Sequence, residues 1–360
     1  MYYKANKSLV GFFMDYQMLN QMRTLTLLTI LNLQLLKLYS QGCCSGGSGS
    51  PIAGGASQGV LQERQFEIAP NYQYTGTNKF MVGDKDTTKL FDYLFSNYLY
   101  MRFAYGVTDR FTMSIESGYF FNKTQYGFQK SDTIKSSGIG DLIIFPRYSV
   151  YTRNTEKTRT EITLGMGMKI PLGKHNDSTL VFTDQNTGQK YYTTSPPTVQ
   201  TTTGANDFIF YSFVYRGYPE TKFRVFTNIL YIKKGWNSLG QKFGDYASVG
   251  LFASKTVLKK LGITLQIRGE WVDSMKYDKN IDMLALYNID VKSTGSKKVF
   301  FAPQLSFTQN NFTIYAMSEI PLYQYLNGTQ VASQQQFTAG ISYRFFVKRK
   351  VKPTEPDKLN

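Results

Sequence analysis

The sequence predicts an all-β chain, a transmembrane antiparallel β-barrel of about twelve strands, and three observations carry that prediction. Apolar and polar residues alternate with a period of two over many long segments. The connections between those segments are short and long by turns. The charged residues of the segments fall opposite the apolar ones. A soluble sandwich is the competing reading. It accounts for the alternation but has no reason to sort its loops by length.

The start of the chain precedes the barrel. Met1–Gln21 reads as an upstream extension. Met22–Gly42, MRTLTLLTILNLQLLKLYSQG, has a basic residue (Arg23), an apolar run from Leu25 to Leu36 and small residues at Ser40 and Gly42, the layout of a secretory signal peptide. An amphipathic helix that stays attached is the plainer alternative. Residues 43–61 form a Gly/Ser-rich leader whose glycines are not followed by the Lys-Ser/Thr of a phosphate loop. Cys43 and Cys44 are the only cysteines; an adjacent pair builds neither a disulfide scaffold nor a complete zinc site, although Cys43 could be the lipidated residue of a lipoprotein.

Strands are expected at 62–76, 97–107, 111–122, 139–152, 159–171, 206–216, 222–233, 245–255, 261–272, 298–309, 311–320 and 335–346. In Thr160–Gly173, TEITLGMGMKIPLG, Ile162, Leu164, Met166, Met168 and Ile170 share one face and Glu161, Thr163, Gly165, Gly167 and Lys169 the other. YLYMRFAYGV repeats this with Leu99, Met101, Phe103 and Tyr105 against Tyr100, Arg102 and Ala104. FTMSIESGYFF, LGITLQIRGEW and QFTAGISYRF follow the same rule. Tight turns are expected at 108–110, 154–158, 217–221, 258–260 and 309–310, and long polar loops at 77–96, 123–138, 172–205, 234–244, 273–297 and 321–334. Short turns at one end and long loops at the other are the layout of outer-membrane barrels, with both termini on the periplasmic side. Residues 347–360 make a basic tail.

Composition agrees. Tyr and Phe number 27 each against 2 Trp, with 30 Gly. Mean hydropathy is only -0.31, as expected when lipid-facing and water-facing residues average out. The formal charge is +16, yet no basic helix, zinc spacing or RNA-binding signature accompanies it, so no nucleic-acid partner is expected. Lys or Arg facing lipid at mid-membrane costs about 2–4 kcal/mol, so the charges opposite the apolar stripe should face the lumen. The residues expected to line a solute path are Arg102, Glu116, Asp141, Arg147, Glu161, Lys169, Arg224, Arg268, Glu270 and Arg344. Glu161, Thr163 and Lys169 would then face a wet interior.

Three stretches in order, SSGIGDLIIFPRYSVY, TEITLGMGMKIPLGKHN and TTGANDFIFYSFVYRG, together with the hairpin EIPLYQYLNGTQVASQQQFTAGISYRF, resemble the outer-membrane family linked to the meta-pathway of phenol degradation. The resemblance covers most of the chain after Gln62, and CCSGGSGSPIAGG is similar to leaders of members from Bacteroidetes-type bacteria. It implies an outer-membrane transporter, with lipid, the barrel-assembly machinery and a small solute as partners and no cofactor.

The expected function is a channel or transporter for small, hydrophobic or aromatic molecules. The alternative is a structural barrel with a plugged lumen, its loop 172–205 binding partners. A barrel hydrolase would need His175, the only histidine, or Asp141 as an acid/base group. A solvated loop histidine and a carboxylate fixing a strand start are the plainer readings, so neither a catalytic nor a metal site is assigned.

Overall fold

Twelve antiparallel strands, each paired with its neighbours in the chain, close into a ring in the computed structural model, which describes residues 59–129, 133–287 and 289–347. They are β1 (Gln65–Thr77), β2 (Tyr93–Thr108), β3 (Phe111–Tyr126), β4 (Asp141–Asn154), β5 (Arg159–Pro171), β6 (Asp207–Tyr218), β7 (Phe223–Lys233), β8 (Tyr246–Val257), β9 (Leu261–Val272), β10 (Ser296–Gln309), β11 (Phe312–Val331) and β12 (Gln335–Phe346). Closure is made by β12 on β1, in register from Gln65 opposite Phe346 to Gly76 opposite Gln335. Both ends of the ring's chain therefore lie at the short-turn end. The segment expected to be a signal peptide, Cys43, Cys44, most of the expected leader and the tail beyond Val347 lie outside the described residues.

The strands run from 11 residues in β7 to 20 in β11, enough for a tilted span of about 9–11 residues each. The alternation sets which face is out. Ile115, Leu164, Leu251, Leu265, Ile267 and Ile314 are exposed on the outer wall. Aromatic side chains border that apolar band: Tyr148, Tyr151, Phe307 and Phe312 toward the short turns, Trp271, Tyr231, Phe121 and Tyr323 toward the long loops. A band flanked by aromatic girdles is the surface that a bilayer covers.

Two departures from the expected elements have clear causes. The strand expected at 311–320 runs on to Val331. Above its pairing with β12 it takes Phe80–Gly83 as its partner, so it stands beyond the ring. The loop expected at 123–138 contains a strand, Ile134–Ile139, that pairs with the upper part of β3, leaving β4 only Phe111–Glu116 of β3.

Inside, the wall is not uniform. Ile143, Phe145, Ile209, Tyr211, Phe213, Phe226, Leu230 and Ile232, inward on β4, β6 and β7, form a packed apolar cluster joined by Tyr215, Tyr246 and Phe252. Glycines of neighbouring strands make room for these rings. A Cβ on Gly167 would stand 2.7 Å from Phe145 Cδ2, and one on Gly165 2.9 Å from its Cζ.

Candidate functional site: the lumen

Across the ring from the aromatic cluster, β12, β1, β2 and β3 carry an ionic lattice. Glu67 is 2% exposed and accepts from Arg102 Nη2 at 2.6 Å and Nε at 3.1 Å, from Ser342 Oγ at 3.2 Å and from Arg344 Nε. The register explains the set, since Glu67 lies opposite Arg344 on one side and Ala104, two residues from Arg102, on the other. Glu116, opposite Arg102, accepts from the Tyr100 hydroxyl and from Ser114 Oγ at 2.9 Å. Arg147 is buried between Thr112 and Gly165 in register, its guanidinium 5.7 Å from the centre of the Phe145 ring. Removing a carboxylate from such a lattice strands a buried cation, which is what holds the geometry in place.

At the long-loop end the charges also pair. Lys169 Nζ lies 2.9 Å from Asp141 and 3.0 Å from Asp207, and Lys234 Nζ 3.0 Å from Asp207. Arg268 Nη2 is 3.0 Å from Glu319 and 3.6 Å from Glu270, whose other partner is the Tyr246 hydroxyl. On the rim, burial alone would raise the Asp245 carboxyl. The Lys233 ammonium, the Lys234 amide and the Tyr231 hydroxyl bonded to it hold it below its usual range instead.

The loop after β5 closes this mouth. Its hairpin, Ser178–Thr183 with Lys190–Thr194, carries exposed Tyr191 and Tyr192, but residues 198–202 turn inward and are buried. The Thr202 hydroxyl donates to Asp141, Lys123 Nζ donates to the Gln200 carbonyl at 2.7 Å, and Val199 packs with Phe80, Phe91, Leu94 and Val331. The short-turn end is entered from the leader side. Val60 N donates to Glu161 Oε1 at 3.1 Å and Leu61 N to Thr112 Oγ1 at 2.7 Å, both acceptors inward-facing. Glu161, Thr163 and Lys169 face inward and are buried, with the end of the leader against Glu161 and the infolded loop against Lys169.

Two sizeable cavities lie among the described residues. The outer one, of about 230 Å³, lies under the infolded loop and is lined by Tyr98, Tyr100, Phe120, Phe243, Tyr246 and the charged groups around them. The other, about 490 Å³, opens at the short-turn end and is lined by Arg102, Arg224 and Arg344 among others. They share no lining residue, yet Tyr100 of one and Arg102 of the other are successive inward positions on β2. A thin septum of ionic lattice and aromatic cluster separates them.

Of the ten residues named from sequence, Asp141, Lys169, Arg268 and Glu270 line the outer cavity, and Arg102, Arg224 and Arg344 the inner one. Glu116 and Arg147 sit buried with the lattice, and Glu161 holds the leader. Sequence reasoning missed Glu67, Asp207, Lys298 and Glu319, all buried. Each stood at an inward position of an expected strand, so alternation carried the signal. His175 Nε2 lies 2.8 Å from Ser238 Oγ in an exposed link between two loops.

Neither a protein-family model nor a curated protein matches the sequence. Among solved structures, the chain is similar to the COG4313 outer membrane channel from Pseudomonas putida F1, with a TM-score of 0.61 and 12% identity over 81% of this chain and all (100%) of that one. The chain has the fold of an outer-membrane β-barrel. Looser overlaps, with the beta domain of the Bordetella autotransporter BrkA (TM-score 0.42, 10% identity, 79% of this chain and 100% of that one) and with the KdgM porin (0.38, 9%, 77% and 99%), add nothing about this barrel. The fold expected from the sequence is the fold observed.

Proposed function

We propose that this protein is an outer-membrane channel for small molecules, with its short turns in the periplasm. The observation that carries the reading is a closed ring with an apolar outer band enclosing two cavities, one at each end, one septum apart. A structural barrel has no need of a chamber at each end. The similarity to an outer membrane channel supports it, as does the family resemblance of the strand motifs. The ten charged residues above, with Glu67 and Lys298, then line or frame the solute path. Residues 1–42 serve export, the strand surface meets lipid, and the assembly machinery inserts the barrel.

The rings of the outer cavity favour solutes with an apolar, aromatic-sized body, and its paired charges favour a polar substituent. A second reading rests on one observation, the aromatic cluster that fills much of the interior: the barrel is a closed structural element. Proteoliposome swelling separates them. Measurable uptake of small solutes by the wild type, raised by a variant that thins the septum, supports the channel. No uptake by either would leave the structural barrel.

A further inference from the structure

The two cavities differ in electrostatics. The outer one has Asp141 and Glu270 in its lining; there Lys169, Lys234 and Arg268 each face a carboxylate at 3.0 Å or less, while Lys123 bonds the Gln200 carbonyl and Lys298 the Ser333 hydroxyl. The inner vestibule is lined by Arg102, Arg224, Lys259, Lys260 and Arg344, and by no Asp or Glu among the described residues. Glu67, buried in the wall, is shared by Arg102 and Arg344, and Glu116 stands opposite Arg102. Five cations thus stand against these two carboxylates, neither of which lines the vestibule. Among the described residues Arg224 has only hydroxyl partners, Ser254 Oγ at 3.2 Å and Thr256 Oγ1 at 3.0 Å, and none at its buried Nε. Lys259 and Lys260 make no ion pair among the described residues. Leu258 and Lys259 take the left-handed backbone (φ 49° and 63°), and the Lys260 carbonyl accepts from Thr308 N at 2.9 Å, which holds this turn to β10.

We propose that the vestibule is a binding site for small free polyanions bearing two or more carboxylate or phosphate groups. Three arguments support it. Walls of low polarisability strengthen the attraction of clustered like charges for a counter-ion. The remaining lining is rich in hydroxyl and amide groups, including Ser306, Thr308, Asn310 and Asn311, which can donate to oxyanions. The volume, about 490 Å³, is that of a small-molecule site rather than of a single-ion niche. Binding here is an equilibrium property and does not depend on permeation.

The test uses the full chain folded in non-ionic detergent, titrated with citrate by calorimetry. Saturable binding is expected, weakening as salt is raised. The triple variant Arg224→Gln, Lys259→Gln, Lys260→Gln should bind about tenfold or more weakly. Ser306→Glu, which adds a carboxylate to the same cavity, should do likewise and covers the case in which the triple variant fails to fold. Lys190→Gln, on the distant hairpin, should bind as the wild type does. Absence of citrate binding by folded wild type, or unchanged affinity in the folded variants, overturns the proposal. So does complete loss of citrate binding in nanodiscs of anionic phospholipid with retention in neutral ones, since the occupant would then be a lipid headgroup. A barrel that passes neutral sugars yet binds no citrate keeps the channel reading and loses this one.

Discussion

One side of the lumen wall, β12 through β3, is a lattice of charges. The other, β6 through β8 with part of β4, is a stack of rings. Both are buried, and both separate the same two cavities. They differ in what a single deletion leaves behind. In the lattice it leaves a charge without its partner, which water must reach or the fold must bear. In the stack it leaves a void that water can fill from either cavity. The lattice should therefore govern stability and the stack permeability, and the predictions that follow test that division.

The largest effect is expected at Glu67. Replacing it with Ala removes the carboxylate from Arg102, itself 5% exposed, and from Arg344, and should lower unfolding stability by roughly 3–5 kcal/mol, read from a urea titration of gel mobility. Glu67→Met with Arg102→Met should lose less than Glu67→Met alone, because the pair goes together. If the double change is the worse one, the lattice is not electrostatic in its hold.

Phe213→Ala comes next. Phe213 contacts Tyr211, Tyr215 and Phe226 in the stack. The loss should be about 3 kcal/mol, at the lower end for such truncations because water can enter the space. Swelling rates for small sugars should rise, while Glu67→Ala leaves them closer to wild type. The reverse pattern would break the division of labour.

These two sides were not equally legible. Every strand of the ring was expected from sequence because one face of each is reliably apolar, and the ionic wall followed from Arg102 and Glu116 standing opposite that face. The aromatic wall was hidden. In DFIFYSFVYRGY both Phe208 and Phe210, which face out, and Ile209, Tyr211 and Phe213, which face in, are apolar, so period-two contrast vanishes. The infolding of residues 198–202 was hidden for the opposite reason. A Thr-rich polar stretch reads as solvated loop unless its partners, here Asp141, Lys123 and Gln125, are known to stand at one mouth.

Gly167 couples the two walls, since its missing Cβ seats Phe145 next to Arg147. Gly167→Ala would place a Cβ 2.7 Å from the ring and 2.9 Å from the Ile144 carbonyl, and backbone cannot yield as a side chain can. A cost of about 1–3 kcal/mol is expected by urea titration, against near-neutrality for Met166→Leu next to it on the exposed outer face.

The smallest effect belongs to the loop, which rests on both walls without being part of either. Thr202→Val removes the hydroxyl that donates to Asp141 but leaves Lys169 on that carboxylate and leaves Lys123 on the Gln200 carbonyl. A loss of about 1 kcal/mol, confined to the loop, is expected. Amide exchange of residues 198–204 should quicken several-fold while strand amides keep their protection, because local openings need not breach a ring whose hydrogen bonds all lie between strands. Swelling rates should rise slightly, since the outer cavity lies under this loop. If exchange quickened through β4 and β5 as well, Asp141 would be anchoring the strands through Thr202 rather than merely holding the loop, and the mouth and the ionic wall would be one cooperative unit.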